Sequence, residues 1–410
     1  MYVCIDAALR VVPNALVARM RDFGRITAGI SQSVANQLMA EGYAVVDGLL
    51  GEHWAAALLR EMQSLVDGGL MREHKFQFAH AQLRKPHIYE ADMHDTALRN
   101  DPRRHTPEID AFFQQQPLAT ALNERLPQLR LMTEATRATL KLQYNAGGGG
   151  CFPCHYDNAG APSRRQVTCL FYFNADWMDG DGGQLELLPF LRPAVRIPPC
   201  FDRAVFFLSD RILHRVLPAV KSRYCFTVWI DGEVVNDSAS VGLSAAQLKL
   251  DDANVAALQA SPRQRAVSRA VYCEEYDASL RECMAGAEGL AEMLAAHAGH
   301  VAQQMSHSQL KPFINGLRAL KPPHTAIVSW GSRGNACLES AGKDATAAVV
   351  ASCALCSTAL ARTDQVGAEC WFLQCSQCEL AAYCSVECQT NHWPSHRADC
   401  VRGVCATKTG

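Results

Sequence analysis

The sequence predicts an α+β protein built around an all-β sandwich or jelly roll. Residues 31–70 have the spacing of a helix, a short strand and a second helix, and residues 139–230 contain short β-forming runs separated by Gly, Pro and Asp. After Val234 the sequence becomes Ala-rich, with apolar residues at helical spacing. Because helices come first and many short strands follow as a block, we expect the α+β class.

Length and composition limit the possible functions. A chain of 410 residues exceeds one ordinary domain, and at roughly 150 residues per domain it predicts two or three folded units. The 49% hydrophobic and 20% charged residues exclude a fully disordered or collagen-like chain. Lys and Arg number 39 against 41 Asp and Glu, a net charge of -2, so we expect neither nucleic acid nor a membrane surface as partner.

The N-terminus does not have the pattern of a secretory signal. It lacks a basic start followed by an apolar stretch, and no apolar run in the chain reaches the roughly 18 residues that a membrane span requires. Arg10, Arg19 and Arg21 leave a transit peptide open, but Asp6 and Asp22 count against it. We therefore expect a protein of the cytoplasm, the nucleus or both.

Local spacing predicts the elements of the N-terminal region. Residues 43–46 are β-formers, and Trp54, Leu58 and Met62 recur at helical spacing. Residues 72–105 are polar and irregular. Their histidines are His74, His80, His87, His94 and His105. Because these lack the tight spacing of metal ligands, we interpret them as solvated loop residues, with a metal cluster as the alternative.

Five runs between residues 139 and 230 are the predicted core strands. They are TLKLQY, VTCLFYF, QLELL, AVFFL and RYCFTVWI, with turn signals GGGG at 147–150 and DGDGG at 179–183. The four glycines are interpreted as a strand connection and not as a phosphate-binding loop, because no Gly-Lys-Ser/Thr follows them.

A candidate metal site follows these glycines in the segment CFPCHYDN. His155 and Asp157 stand two residues apart, so on an extended backbone both side chains point to the same side. The two-histidine, one-carboxylate triad of non-haem Fe(II) oxygenases needs one more histidine and leaves three coordination positions open. His214 is the candidate third ligand. A His-x-Asp pair alone is a weak signal, so this interpretation depends on the surrounding sequence.

Arg223 is the most informative of the surrounding residues. It begins the strand RYCFTVWI, in which Arg223, Cys225, Thr227 and Trp229 share one face. A charged residue at the start of an inward face requires an anion. A guanidinium binds a carboxylate through two parallel hydrogen bonds, so a dicarboxylate co-substrate would supply that anion.

Several ordered motifs with matching spacing carry a family resemblance across residues 30–231. They are GYAVVDGLLG, LQYNAGGGGCFPCHYDN, VTCLFYFNADW, GDGGQLELLP, FDRAVFFLSDR and HRVLPAVKSRYCFTVW. The sequence resembles the 2-oxoglutarate-dependent Fe(II) oxygenases, and within them the prolyl 4-hydroxylases typified by the hypoxia-inducible-factor prolyl hydroxylases. The resemblance implies a double-stranded β-helix, or jelly-roll, oxygenase core with packing helices.

The resemblance also implies a role for each matching residue. His155, Asp157 and His214 would hold Fe(II), and Arg223 would bind the distal carboxylate of 2-oxoglutarate, with Tyr172 as a second contact. The other implied pocket-lining residues are Tyr144, Thr227 and Trp229. Core packing remains the alternative for each, and Trp229 and Thr168 suit either role.

The implied reaction consumes 2-oxoglutarate and O2 and yields succinate and CO2. It would hydroxylate a prolyl residue of a protein substrate at the 4-position, with ascorbate as the reductant. Two features depart from the family pattern: Asn158 is followed by Ala159 and not by Pro, and the loop from Tyr144 to His155 is one residue longer. Residues 72–100 match the family's mobile substrate-covering loop poorly, which leaves the substrate open.

Residues 236–350 are predicted as a helical connecting region and linker. Leu290, Met293, Leu294 and Val301 lie near helical spacing. The histidines beside them, His297, His300 and His307, are expected at partly exposed helix positions and not as metal ligands. Residues 321–351 have the mixed character of a linker.

The cysteine-rich tail predicts a zinc module. Its ligand pairs are Cys353-x2-Cys356, Cys375-x2-Cys378, Cys384-x3-Cys388 and His396-x3-Cys400. Eight soft ligands in four close pairs suit two tetrahedral Zn(II) sites. Without an export signal, metal binding is a better explanation of this crowding than disulfides.

With YCSVECQTNHWPSHRADC, the tail resembles the MYND zinc finger. The resemblance implies that the pairs interleave. One zinc would be held by Cys353, Cys356, Cys384 and Cys388, and the other by Cys375, Cys378, His396 and Cys400. It also implies a structural and recruiting module that binds a proline-containing peptide and not DNA, in agreement with the absence of a basic footprint.

The predicted organisation therefore has four parts. They are an N-terminal extension (1–29), a dioxygenase domain (30–235), the helical connecting region (236–350) and the finger (351–402). We expect an enzyme, with two alternatives: a 2-oxoglutarate oxygenase acting on another residue or a small molecule, and a non-catalytic MYND adaptor. The complete set of metal triad and anion-binding arginine argues against the adaptor, since a scaffold does not need it.

Overall fold

The computed structural model describes residues 23–330, apart from 79–80, 159, 234, 236–242 and 324–325, together with five short strands of backbone beyond residue 335. The chain divides into two compact units, residues 1–336 and 337–410. Among the helices described, none combines the length and the apolar character that a bilayer-spanning segment needs.

The first unit holds ten α-helices and twelve strands among its described residues, besides the helical residues 23–29. In chain order they are α1 (Gln32–Glu41), β1 (Tyr43–Asp47), α2 (Glu52–Asp67), β2 (Arg72–Phe78), β3 (Ala81–Asp92), α3 (Thr96–Arg99), α4 (Pro107–Gln115), α5 (Pro117–Arg125), β4 (Ala138–Asn145), β5 (Gly150–His155), β6 (Arg165–Tyr172), β7 (Leu185–Leu188), β8 (Ala194–Ile197), β9 (Arg203–Leu208), β10 (Leu213–Ala219), β11 (Arg223–Asp231), α6 (Asp252–Gln259), α7 (Arg265–Val271), α8 (Cys273–Cys283), α9 (Leu290–Ser306), α10 (Leu310–Leu320) and β12 (Ile327–Trp330). The short strands that follow are β13 (Ala336–Glu339), β14 (Val349–Ser352), β15 (Ala359–Ala361), β16 (Leu373–Gln374) and β17 (Ala382–Tyr383).

Two sheets of mainly antiparallel strands form the predicted jelly roll. The larger sheet has the order β1-β9-β6-β11-β4-β3-β2, and the smaller contains the order β12-β8-β7-β10-β5. The pairing of β12 with β8 is parallel. Consecutive strands β4, β5 and β6 alternate between the two sheets, so the chain winds around one shared interior.

Three buried cores arrange the unit as helices, sheet, sheet and helices. Trp54 of α2 and Phe226 of β11 belong to the core between the N-terminal helices and the larger sheet. Phe207 and Leu187 belong to the core between the sheets. Leu213 packs with the helices after residue 250 against the outside of the smaller sheet. Strand alternation explains why the larger sheet has a separate core on each face, because successive residues of β11 point alternately into the first and the second core.

Local sequence signals determine where α1 begins and where it ends before β1 of the larger sheet. The Ser31 side chain accepts a hydrogen bond from the backbone N–H of Val34 at the start of α1. Gly42 ends α1 with φ of 82°, and a Cβ there would lie 2.8 Å from the Ile212 side chain. Any other residue would be strained at this turn into β1, so Gly42 both ends the helix and permits close packing.

The prediction of an irregular loop over residues 72–105 is wrong in its first half. Strands β2 and β3 form an antiparallel hairpin that extends the larger sheet through β4. His74 Nδ1 lies 2.7 Å from Glu90 Oε2, and His94 Nε2 lies 2.8 Å from the carbonyl oxygen of Ala138. β2 is the edge strand of the larger sheet. Polar residues are common in edge strands, and here they obscure the alternation of apolar and polar residues that predicts a strand.

The helices predicted as a connecting region instead pack on the smaller sheet. Helices α7, α8 and α10 contribute to the core that covers the outer side of β5 and β10. The expectation of a partly exposed His297 is wrong, because this side chain is buried against the ring of Tyr276. Within the predicted linker, β12 adds a strand to the smaller sheet.

Candidate active site

The jelly roll brings the three predicted metal ligands together. His155 of β5 is opposite His214 of the adjacent strand β10, with ring centroids 4.3 Å apart. His155 Nε2 lies 3.5 Å from Asp157 Oδ1, and His214 Nε2 lies 3.7 Å from Asp157 Oδ2. One ligand atom from each residue lies within 4.8 Å of the others, and no second cluster of this kind occurs in the described part of the chain.

The orientation of both imidazoles fits a divalent metal. His155 Nδ1 is 2.8 Å from the carbonyl oxygen of Pro153, and His214 Nδ1 is 3.2 Å from that of Ile212. A carbonyl only accepts, so Nδ1 carries the proton and the Nε2 lone pair is left for a metal. Burial lowers the pKa of His214 to about 4, which keeps its imidazole neutral. Two imidazoles and one carboxylate are the donor set of Fe(II) oxygenases.

Thr168 holds the carboxylate of Asp157, and Ser209 is hydrogen-bonded to Thr168. Thr168 Oγ1 donates to Asp157 Oδ2 at 2.7 Å and lies 2.8 Å from Ser209 Oγ. Burial by itself would raise the pKa of Asp157, but the two histidines and the hydrogen bonds outweigh it and hold that pKa well below its ordinary value. Thr168 is therefore a positioning residue for a metal ligand, a role that sequence alone left open.

Replacing Thr168 with valine is expected to weaken metal binding by about tenfold, the lower end of the usual cost of losing a hydrogen bond to a metal ligand. Calorimetric titration of the full chain with Mn(II) measures the affinity directly. Thr168→Ser keeps the hydroxyl and should restore most of it. Equal Mn(II) affinity of the wild type and Thr168→Val would contradict the positioning role.

Arg223 and Tyr172 lie together between the sheets, as predicted. Both are buried, and Arg223 Cζ is 5.0 Å from the Tyr172 ring centroid. Arg223 Nε and Tyr172 Oη have no hydrogen-bond partner among the described residues. Burial raises the pKa of Tyr172 to about 12, so its phenol remains a donor at neutral pH. These two buried donors lack partners, and one of them belongs to the permanently charged guanidinium. Such a pair is suited to bind a carboxylate.

Thr227 and Trp229 also face the interior, as predicted. In the register of β11 with β6, Thr227 is opposite Leu170 and Trp229 is opposite Thr168. The Trp229 ring packs under the Arg165 guanidinium, with 4.4 Å between Arg165 Cζ and the ring centroid. Trp229 therefore lies beside the residue that holds Asp157.

The prediction that Tyr144 lines the pocket is wrong. Tyr144 is opposite Tyr224, on the face of the larger sheet that the N-terminal helices cover, and their ring centroids are 4.8 Å apart. Gln143 is the inward residue, and its Oε1 accepts from Cys225 Sγ at 3.4 Å. The one-residue extension before His155 shifted the match, and the apolar alternation that ends at Tyr144 was the signal for the correct face.

The helices after residue 250 support the metal-bearing strand from outside. Ser279 Oγ accepts from the backbone N–H of Cys154, the Tyr156 hydroxyl donates to Ser268 Oγ at 2.9 Å, and Arg265 donates to the carbonyl oxygen of Asn158. A disulfide between Cys151 and Cys283 also joins β5 to α8. Residues alternate along this segment, so those between the ligands point into the helices.

Replacing Tyr156 with phenylalanine is expected to weaken Mn(II) affinity by roughly fivefold, less than the loss of a direct hydrogen bond to a ligand costs. Tyr272→Phe is the matched control, because the Tyr272 hydroxyl accepts from the N–H of Leu191 in the same helical layer, away from the ligands. Each variant should lose about 1 kcal/mol of folding stability. Equal Mn(II) affinity of the two variants would show that the helices only stabilise the fold.

The eight predicted zinc ligands lie outside the described residues. Comparison with known families bears on this part of the chain. The family model of the MYND finger matches residues 353–400, and that of the 2OG-Fe(II) oxygenase superfamily matches residues 141–231. The MYND finger binds zinc, so the prediction of a zinc module is confirmed at the level of the family.

Similar proteins match part of the chain. The hypoxia-inducible factor prolyl hydroxylase of Caenorhabditis elegans is 29% identical over 241 residues, which are 56% of this chain and 31% of that protein. Egl nine homolog 1 of Homo sapiens is 42% identical over 86 residues, 20% of each protein. The chain thus spans less than a third of the length of these two relatives.

A solved structure matches more of the chain. The structure of prolyl 4-hydroxylases from Phytophthora capsici superposes with a TM-score of 0.64 and 42% identity, covering 73% of this chain and 95% of that one. This coverage exceeds the predicted dioxygenase domain.

Proposed function

The chain belongs to the 2OG-Fe(II) oxygenase superfamily, and from this premise we propose that it hydroxylates prolyl residues of a protein substrate at the 4-position. One observation carries the proposal: a metal-binding triad and a carboxylate-binding pair of side chains both lie in the interior of the jelly roll. The triad of His155, Asp157 and His214 lies at one position, and the unsatisfied donors of Arg223 and Tyr172 lie between the same two sheets.

Each group has a part in holding the reactants. His155, Asp157 and His214 would hold Fe(II), and Arg223 with Tyr172 would hold the distal carboxylate of 2-oxoglutarate. When bound, iron and 2-oxoglutarate supply the oxidation of a C–H bond by O2, with succinate and CO2 as the other products. Arg223 and Tyr172 would fix the distal carboxylate of the co-substrate, and the apolar core between the sheets would exclude water from it.

One side of the metal site is open. The His155 side chain is 39% exposed, whereas those of Asp157 and His214 are 7% and 5% exposed. A substrate side chain on a protein can approach from the His155 side without unfolding the jelly roll. The prolyl specificity is supported by the names of two of these relatives, the prolyl hydroxylase of Caenorhabditis elegans and the prolyl 4-hydroxylases of Phytophthora capsici.

The finger would recruit the substrate or another partner by binding a proline-containing peptide. Action in the cytoplasm or nucleus and ascorbate as reductant complete the proposal. A peptide array probed with the full chain tests the finger. Proline-dependent binding that is lost in Cys375→Ser supports it, and binding that the variant retains contradicts it.

Mass spectrometry of cellular proteins with and without the enzyme tests the proposed reaction. Prolines that gain one oxygen only in the presence of the wild-type chain support it. A comparison with His155→Ala separates catalysis from recruitment. Oxygen gained by another residue type, with prolines unchanged, would favour the alternative of a different oxygenase specificity.

A further inference from the structure

The inner face of the β2–β3 hairpin carries a buried lysine. Lys85 is only 8% exposed, and its Nζ lies 3.8 Å from the centroid of the Phe152 ring and 5.5 Å from that of Phe76. His74 lies on the same face and packs edge-on against Phe152, with 5.5 Å between ring centroids. Two aromatic rings thus surround the amine.

Lys85 has no anionic partner in the described part of the chain. No carboxylate lies within ion-pair distance, and no hydrogen bond of its amine is present there. Glu90 acts on Lys85 only at a distance, since its own oxygens contact His74 Nδ1 at 2.7 Å and Lys141 Nζ at 3.1 Å. Burial lowers the pKa of Lys85 to about 7, which reflects the cost of a charged amine there. Contact with a π face offsets only part of that cost.

This amine is close to the metal site. Phe152 precedes His155 by three residues on β5, and their ring centroids are 6.5 Å apart. One ring therefore separates Lys85 from the most exposed of the three ligands. A substrate that approaches along the open side of His155 passes the hairpin face that carries Lys85.

We propose that Lys85 is a carboxylate-binding subsite that selects protein substrates with an Asp or Glu side chain near the target proline. The inference rests on the proposed function, which it extends to substrate selection. The carboxylate would provide the anion that the chain itself does not. This subsite is separate from Arg223, which packs on Tyr172 of the larger sheet, whereas Lys85 packs on Phe152 of the smaller one.

The test uses the full chain and pooled proline peptides. In each pool one position near the proline is fixed as Asp, Glu, Asn or Gln, and mass spectrometry measures oxygen gained by proline. Wild type should favour the acidic peptide over its amide counterpart by at least about tenfold at one position, the usual scale for a desolvated charge pair. Lys85→Met keeps the apolar stem on Phe152 and should reduce this ratio to about one, with turnover of the amide pools unchanged.

Two further variants sharpen the test. Lys85→Arg should keep the preference for acidic peptides. Arg84→Met removes an exposed cation from the adjacent position and should also leave that preference unchanged. The KM for 2-oxoglutarate should be the same in wild type and Lys85→Met, and a large increase would place the amine in the co-substrate site and overturn the inference. Equal turnover of acidic and amide pools by wild type, or a preference that survives in Lys85→Met, would also overturn it.

The same experiment separates this inference from the proposed function. Proline oxidation without acidic preference removes only the Lys85 subsite. Absence of proline oxidation from every pool, with wild type and Fe(II) present, overturns the proposed prolyl hydroxylation and with it the inference that depends on it.

Discussion

Asp157→Ala is expected to abolish succinate formation, with a decrease of more than about 100-fold, because loss of a mere hydrogen-bond partner of a metal ligand already costs 10 to 100-fold. Asp157 is the single carboxylate of the triad, and its removal leaves two imidazoles that cannot hold Fe(II) firmly. A succinate assay with added Fe(II) and 2-oxoglutarate measures the loss, and Mn(II) titration should show it independently of turnover.

Asp179→Ala is the matched control for Asp157→Ala. Asp179 lies exposed in the loop before β7, so its removal changes the net charge equally without touching the site. Its succinate formation should equal that of wild type. Turnover retained by Asp157→Ala at the level of this control would contradict the assignment of Asp157 as a ligand.

Arg223→Met is expected to raise the KM for 2-oxoglutarate by about 100-fold, within the 2–5 kcal/mol that removal of one partner of a buried charge pair costs. The structure makes a second prediction for the same variant. Because Arg223 has no carboxylate partner within the described chain, its replacement by an apolar side chain should not lower the stability of the protein without co-substrate. Thermal unfolding without 2-oxoglutarate measures this.

Both results for Arg223→Met are needed to assign its role. Arg103→Met, which removes an exposed guanidinium paired with Asp101, should change neither quantity appreciably. A lower unfolding temperature with unchanged KM would mean that Arg223 supports the fold and does not bind the co-substrate.

The sequence was sufficient to predict the parts of the site that follow from alternation along one strand. In β11, the placement of Arg223, Thr227 and Trp229 on one face follows from the period of two alone, and the structure confirms it. His214 was predicted from its type and from the family resemblance. Its position opposite His155 depends on the pairing of β10 with β5, which only the fold provides.

Other features depend on contacts between distant residues and had no local signal. Thr168 and Ser209 are 41 residues apart, and Tyr156 and Ser268 are 112 apart. Side chains of these types form hydrogen bonds in many settings, so nothing in the sequence singles out these pairs. Tyr144 shows the opposite error: a resemblance was followed across a one-residue extension, although strand alternation already assigned the residue to the helix-covered face.

The hairpin and the packed helices show a third limit. Polar residues dominate β2, and their alternation becomes informative only once the position of the metal site shows which face of the hairpin points inward. Helices α7 and α8 have ordinary amphipathic patterns that predict burial against some surface but do not identify it. Their contact with the metal-bearing strand is a property of the folded chain.

Calorimetric titration of the full chain with 2-oxoglutarate, with and without Mn(II) and in the absence of O2, tests the central claim most directly. If the triad and Arg223 form one site, 2-oxoglutarate should bind far more tightly when Mn(II) is present, and this gain should disappear in His214→Ala. Binding of 2-oxoglutarate with the same affinity whether or not the metal is present would contradict the account.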